Sequence, residues 1–199
     1  MSRNLTAKIE KWFDRHAGDG NFALECRSHS YSVIGPVNSN TRIVYATKPR
    51  HVVMAIDASA TPDRFGMIGR YGLPQRADVK WIRDFVGNRK VLFLGDLDPP
   101  DLIVYAYLRA HFAPVPLRHL GINDAFLKKQ QSQLPEGFLM SLSKSERRSV
   151  PFLREVLPDL AKIVGRHCAQ LLEDGRKIEL EAVSSANLFA GLLNPAIKL

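Results

Sequence analysis

Between about residues 41 and 130 the chain alternates short runs of Val, Ile, Leu and Phe with stretches of helical periodicity, and this alternation constrains the fold more than any other feature. Arg42–Ala46 and His51–Ile56, short and rich in Val and Ile, read as buried strands, Val91–Leu94 as another, and Val115–Leu120 is a further strand candidate. Between them, Thr61-Pro62-Asp63 is a helix start with proline at the first helical position. Gln75–Val86 places Val79, Ile82, Phe85 and Val86 at helical spacing, and Gly87-Asn88 stops it. Pro99-Pro100 opens a helix running to about Ala110, and Asn123 caps another running to about Lys129. The pattern predicts an α/β fold with a mainly parallel central sheet flanked by helices.

The flanks read differently. Residues 3–16 carry Leu5, Ile9, Trp12 and Phe13 among charged residues, which predicts a short amphipathic helix. Residues 21–40 are rich in Ser and Asn and form a hairpin or an irregular lead-in. After Pro135 the chain is expected to be mostly helical: Ser143 to Glu146 has the spacing of a capping box, and Pro151–Leu172 and Arg176–Leu193 are read as helices separated by Gly175. The expected organisation is therefore a lead-in over 1–40 and an α/β domain with C-terminal helices over 41–199.

With 199 residues and 45% hydrophobic content, the chain can bury a substantial core. No apolar run reaches the roughly 18 residues of a membrane span, and the N-terminus has no secretory apolar segment. The expectation is a cytoplasmic protein without a membrane partner, and nucleoid association is compatible with it. Cys26 and Cys168 stand far apart without CxxC spacing, which argues against a zinc knuckle or disulfide framework. The six histidines lack metal-ligand spacing and read as surface or packing residues. A formal net charge of +8 favours polyanionic partners, nucleic acid first among them. Lys48, Arg50, Arg64, Arg118, Lys128 and Lys129 lie in or near the expected loops and are candidate phosphate contacts.

Two acidic motifs stand at expected strand ends. Val91–Leu94 leads into Gly95-Asp96-Leu97-Asp98-Pro99-Pro100, where two carboxylates flank one residue in a stiffened turn. Val52–Ile56 leads into Asp57. If those strands are neighbours, Asp57, Asp96 and Asp98 form a compact anionic cleft, whose repulsion a cation would relieve. Magnesium, or manganese, suits such oxygen ligands and retains waters for a phosphate to replace. Asp101, Glu179 and Glu181 are accessory acids, the two glutamates being expected on different faces of a helix. An Asp-x-Asp after a strand also occurs in small phosphatases and phosphotransferases.

The Gly95–Pro99 segment resembles the Toprim Asp-x-Asp motif, particularly the version in topoisomerase VI A subunits, the meiotic double-strand-break proteins and the Toprim nuclease subunit of Wadjet plasmid-defence systems. Ile56–Thr61 is similar to the strand-end segment that carries the Toprim glutamate. Leu117–Asp124 looks like the strand and Leu-Gly turn that follow the motif, and Leu171–Val183 resembles a late segment with paired glutamates. The resemblance covers about residues 45–190. It implies a Toprim-like fold that binds magnesium and acts on DNA, with Asp96 and Asp98 as metal ligands and Asp57 in the place of the glutamate, one methylene shorter. About 40 residues precede this part, so the resemblance does not include the winged-helix domain that bears the attacking tyrosine.

The leading expectation is thus a DNA-binding Toprim protein that cleaves, or helps cleave, phosphodiesters with magnesium, Asp57, Asp96 and Asp98 serving as catalytic and metal-binding residues. Water, or a protein partner with a nucleophile or DNA-binding domain, would complete the reaction; a second copy of the chain is a further candidate partner. The alternatives are a catalytically degenerate Toprim module that binds nucleic acid or a protein, and a small Asp-x-Asp phosphatase or phosphotransferase.

Overall fold

The computed structural model describes residues 2–16, 31–34, 42–48, 50–51, 53–54, 65–70, 73–130 and 134–183. Its centre is a five-stranded sheet. Strands β1 (Ser32–Ile34), β2 (Arg42–Ala46), β3 (Phe65–Gly69), β4 (Val91–Leu94) and β5 (Leu117–His119) lie in the order β1-β3-β2-β4-β5. The four strands β3, β2, β4 and β5 are mutually parallel, and β1 joins the edge antiparallel. The inner strands β3, β2 and β4 are buried almost end to end on both faces, which is why they read as continuous apolar runs rather than alternating ones.

Helix α1 (Ser2–His16) sends Ile9 and Phe13 into the same core as the sheet. Helix α2 (Arg76–Val86) buries Val79, Ile82 and Val86, residues spaced to share one face. Helix α3 (Pro99–Phe112) is buried on nearly every side, because α1 and a later helix, α5 (Lys144–Val156), pack around it. Helix α4 (Asp124–Gln130) begins at Asn123, whose Oδ1 accepts the Phe126 N–H at 3.0 Å. The parallel sheet flanked by helices is the α/β fold that the sequence pattern predicts, and it is consistent with the Toprim-like fold that the resemblance implies.

One strand expectation is corrected. The run at His51–Ile56 is not a strand where it is described: Arg50, His51, Val53 and Met54 are helical, and Val53 is exposed. A short apolar run does not by itself distinguish a strand from a helical turn. The position beside β2 is instead taken by Phe65-Gly66-Met67-Ile68-Gly69, whose two glycines disguise it as a turn. The helix start expected at Thr61, together with Asp57 and Arg64, lies outside the described residues.

The C-terminal part also differs from two long helices. The capping box starts α5 earlier than Pro151: Ser143 Oγ accepts the Glu146 N–H, and Glu146 Oε2 accepts the Ser143 N–H at 2.6 Å. Pro151 is tolerated on the exposed side of α5, and Pro158 then drives Leu157 out of helical geometry. Short helices α6 (Leu160–Ile163) and α7 (Arg166–Glu173) follow, separated by Gly165. Gly165 has a φ of +96°, and a Cβ there would lie 2.1 Å from the Asp124 carboxyl carbon, so only glycine fits this junction. Beyond Gly175 the chain is not helical at once. It forms β7 (Arg176–Lys177), antiparallel to β6 (Met140–Ser141), then a 3-10 turn at Leu180–Val183.

Candidate functional site: a buried acidic loop with an internal cation

At the carboxyl end of β4 the chain enters Gly95-Asp96-Leu97-Asp98, the crevice where parallel sheets gather ligands. Asp96 is fully buried, and Asp98 and Asp101 nearly so. Asp98 Oδ1 accepts the Asp101 N–H at 2.8 Å and thereby caps α3, with Pro99 and Pro100 in its first turn. Asp101 Oδ2 turns back and accepts from Thr47 Oγ1 at 2.6 Å and from the Asp96 N–H at 2.7 Å. Gly95 is required by this folding-back. A Cβ at residue 95 would meet the Phe93 ring at 2.8 Å and Asp101 Oδ2 at 3.0 Å.

The loop is closed by a distant segment. Leu97 exchanges backbone hydrogen bonds with Ile178, at 2.9 and 3.2 Å, and Asp96 Oδ1 accepts the Leu180 N–H at 2.8 Å. The same segment brings Glu181 to the loop. His51 Nε2 lies 3.1 Å from Glu181 Oε1 and 3.7 Å from Asp96 Oδ1. Lys48, which follows β2, donates to Asp96 Oδ2 and stands 3.6 Å from Glu181 Oε2. Arg50 pairs with Glu181 from the exposed side.

Charge and burial set the protonation of these groups. Burial, followed by the charges of Asp101 and Asp96, holds the Asp98 carboxyl well above its ordinary range, which favours its neutral form. Burial and the Asp96 charge push Asp101 up to about 6, against the opposing pull of Lys48 and its two hydrogen-bond donors. Burial disfavours the charged form of Lys48, but the attraction of Asp96, and then of Asp101, outweighs it and raises the ammonium pKa. Burial would raise Glu181 as well; the hydrogen bond from His51 and the charges of His51 and Lys48 instead bring it down to about 2.

The structure therefore brings together Asp96, Asp98 and Asp101, and it adds Glu181, which belongs to a 3-10 turn rather than to a regular helix. Glu179 turns elsewhere and shares Lys177 with Glu146, at 2.9 Å from each. Of the expected phosphate contacts, Lys48 points inward to Asp96, whereas Arg50, Arg118, Lys128 and Lys129 are exposed. His51 is fully buried and part of the site, not a surface or packing residue. A lone histidine without a patterned partner carries no sequence signal, because its neighbours Asp96 and Glu181 lie far along the chain.

One oxygen from each of Asp96, Asp98 and Asp101 lies within 4.8 Å of the others, and one ligand atom each from His51, Asp96 and Glu181 does likewise. By spacing, the acidic group could hold a metal ion. By bonding, several of these oxygens already have partners: Asp96 Oδ2 has Lys48 and Asp96 Oδ1 the Leu180 N–H, Asp98 Oδ1 caps α3, and Asp101 Oδ2 accepts from Thr47 and the Asp96 N–H. As arranged, the loop already holds the ammonium group of Lys48 against Asp96. Among the described residues no helix is long and apolar enough to cross a membrane. No protein-family model matches the chain, and comparison with curated proteins finds no significant relative.

Proposed function

We propose that this chain is a Toprim-like module that binds nucleic acid without metal-dependent turnover, its acidic loop being neutralised by its own lysine. The observation that carries this reading is the ion pair of Lys48 with the buried Asp96. A buried carboxylate needs a counter-charge, and removing either partner of such a pair is strongly unfavourable. An incoming magnesium ion would have to displace Lys48 and shed most of its own waters. Burial and the charges of Asp101 and Asp96 push the Asp98 carboxyl toward its neutral form.

The polyanion partner is supported by the net charge of +8 and by exposed Arg118, Lys128 and Lys129. Binding of this kind is driven by release of counterions and weakens steeply with salt. The test is DNA binding by fluorescence anisotropy at several salt concentrations, with EDTA or with magnesium, beside a plasmid-nicking assay with magnesium and manganese. The expected result is salt-sensitive binding that EDTA leaves intact, with no nicking. The absence of DNA binding at low salt would sink the reading.

A second reading, metal-dependent DNA cleavage, is favoured by the convergence of Asp96, Asp98 and Asp101 within 4.8 Å. Manganese-dependent nicking by the wild type that disappears in Asp96→Asn would establish it in place of the first.

A further inference from the structure

A concave site lies away from the acidic loop. A cleft of about 520 Å³ opens between α2 and the C-terminal turn of α3. Part of its lining, Gly87, Asn88, Phe112, Pro114 and Val115, lies where the chain runs toward β4 and β5, whereas the acidic loop follows the other end of β4. Its volume falls within the range of sites for small organic ligands, roughly 300–1,000 Å³.

The lining is divided by chemistry. Pro114 and Val115 supply the more open apolar surface, and the buried Val79, Val86 and Phe112 lie beneath it. Arg76, Lys80 and Arg83 stand along one side of α2 at helical spacing, opposed by a single acid, Asp84. Lys80 is engaged by Asp84 at 2.9 Å, and Arg76 reaches Glu10 at 3.5 Å. The Arg83 side chain has no hydrogen bond or ion pair among the described residues. It is not needed to cap α2 either, because Arg89 donates to the carbonyls of Phe85 and Val86 at 2.7 and 3.1 Å. His111, also in the lining, has a buried Nε2 without a partner among the described residues. Burial lowers the pKa of this ring; the charge of Glu10 opposes that, and the charges of Arg76 and Arg83 add to it.

We propose that this cleft binds a nucleoside monophosphate, or a small phosphorylated ligand of that chemistry, with its phosphate on Arg83 and Arg76 and its ring system against the apolar lining. A guanidinium fork matches phosphate oxygens in pairs, and Asn88 and His111 offer polar contacts to the rest of the ligand. The inference rests on α2 and α3 and is independent of the function assigned to the acidic loop.

The test is calorimetric titration of the full chain with adenosine monophosphate, inorganic phosphate and adenosine. The monophosphate should bind at least about tenfold more tightly than either fragment, because it uses both halves of the cleft. Arg83 is exposed, so Arg83→Ala should keep the wild-type circular dichroism and thermal transition while weakening the monophosphate by about tenfold or more. Arg83→Lys should recover part of the loss. No binding of the monophosphate, equal binding by Arg83→Ala, or equal affinity for phosphate alone would each overturn the proposal. A short DNA oligonucleotide that displaces the monophosphate with the same Arg83 dependence would assign the phosphate to a strand and overturn the small-ligand assignment.

Discussion

Taking away the ammonium group of Lys48 leaves Asp96 as a buried charge with Leu180 N–H as its remaining close donor and His51 at 3.7 Å. Lys48→Met should therefore destabilise the fold by about 3–5 kcal/mol. Urea denaturation checks this, and the double variant Lys48→Met/Asp96→Asn should recover a large part of the loss, since the orphaned charge is gone. In Lys48→Met the thermal midpoint should also rise on adding manganese, a response the wild type should lack. A second prediction concerns pH. Burial and the Asp96 charge raise the folded-state pKa of Asp101 from 3.8 to about 6, so the folded protein holds this proton more tightly than the unfolded chain. That stabilisation is complete below pH 3.8 and is lost as pH rises to about 6. Glu181 acts in the opposite sense: its pKa falls from 4.5 to about 2, so its contribution is present above pH 4.5 and lost on acidification toward 2. Denaturation followed across this range should show Asp101→Asn flattening the decline between pH 4 and 6, and Glu181→Gln flattening the acid limb.

Elements were legible where local chemistry and tertiary packing agree. The caps at Asn123 and Ser143, the stop at Gly87 and the proline-led start of α3 are all chain-local devices, and each stands where the sequence places it. Ser143→Ala should cost about 1 kcal/mol by thermal unfolding, since it removes one arm of the capping box. Legibility failed where a backbone pairing partner decides the outcome. Arg176 and Lys177 are extended because Met140 and Ser141 lie beside them, and nothing within the local sequence announces that. Phe65–Gly69 is a strand because β1 and β2 flank it, despite two glycines that weaken β propensity. The acidic loop itself was readable as a short motif after a strand. The cation that completes it was not, because Lys48 precedes Asp96 by 48 positions and meets it through the pairing of β2 with β4.

For the whole molecule, the two features face different chemistry: a buried loop whose Asp96 is matched by Lys48, and a cleft with an excess of basic side chains. Nucleic-acid binding, in the function proposed above, falls to exposed cations outside the loop. If Lys128 and Lys129, in the last turn of α4, each touch a phosphate, Lys128→Ala/Lys129→Ala should reduce the slope of log affinity against log salt by about 2. An unchanged slope would remove α4 from the interface.

The hydrogen bond from Leu180 to Asp96 spans 84 positions. During synthesis from the N-terminus, the strands and the acidic turn emerge long before the residues that seal them. A nascent chain stopped near residue 130 would hold Asp96 with Lys48 but without Leu180 or Glu181, so Asp96 Oδ1 would lack the backbone donor that seals it. The finished state of this loop is thus a property conferred late, by the last described turn of the protein, and shortening the chain to its sheet would yield a different electrostatic object.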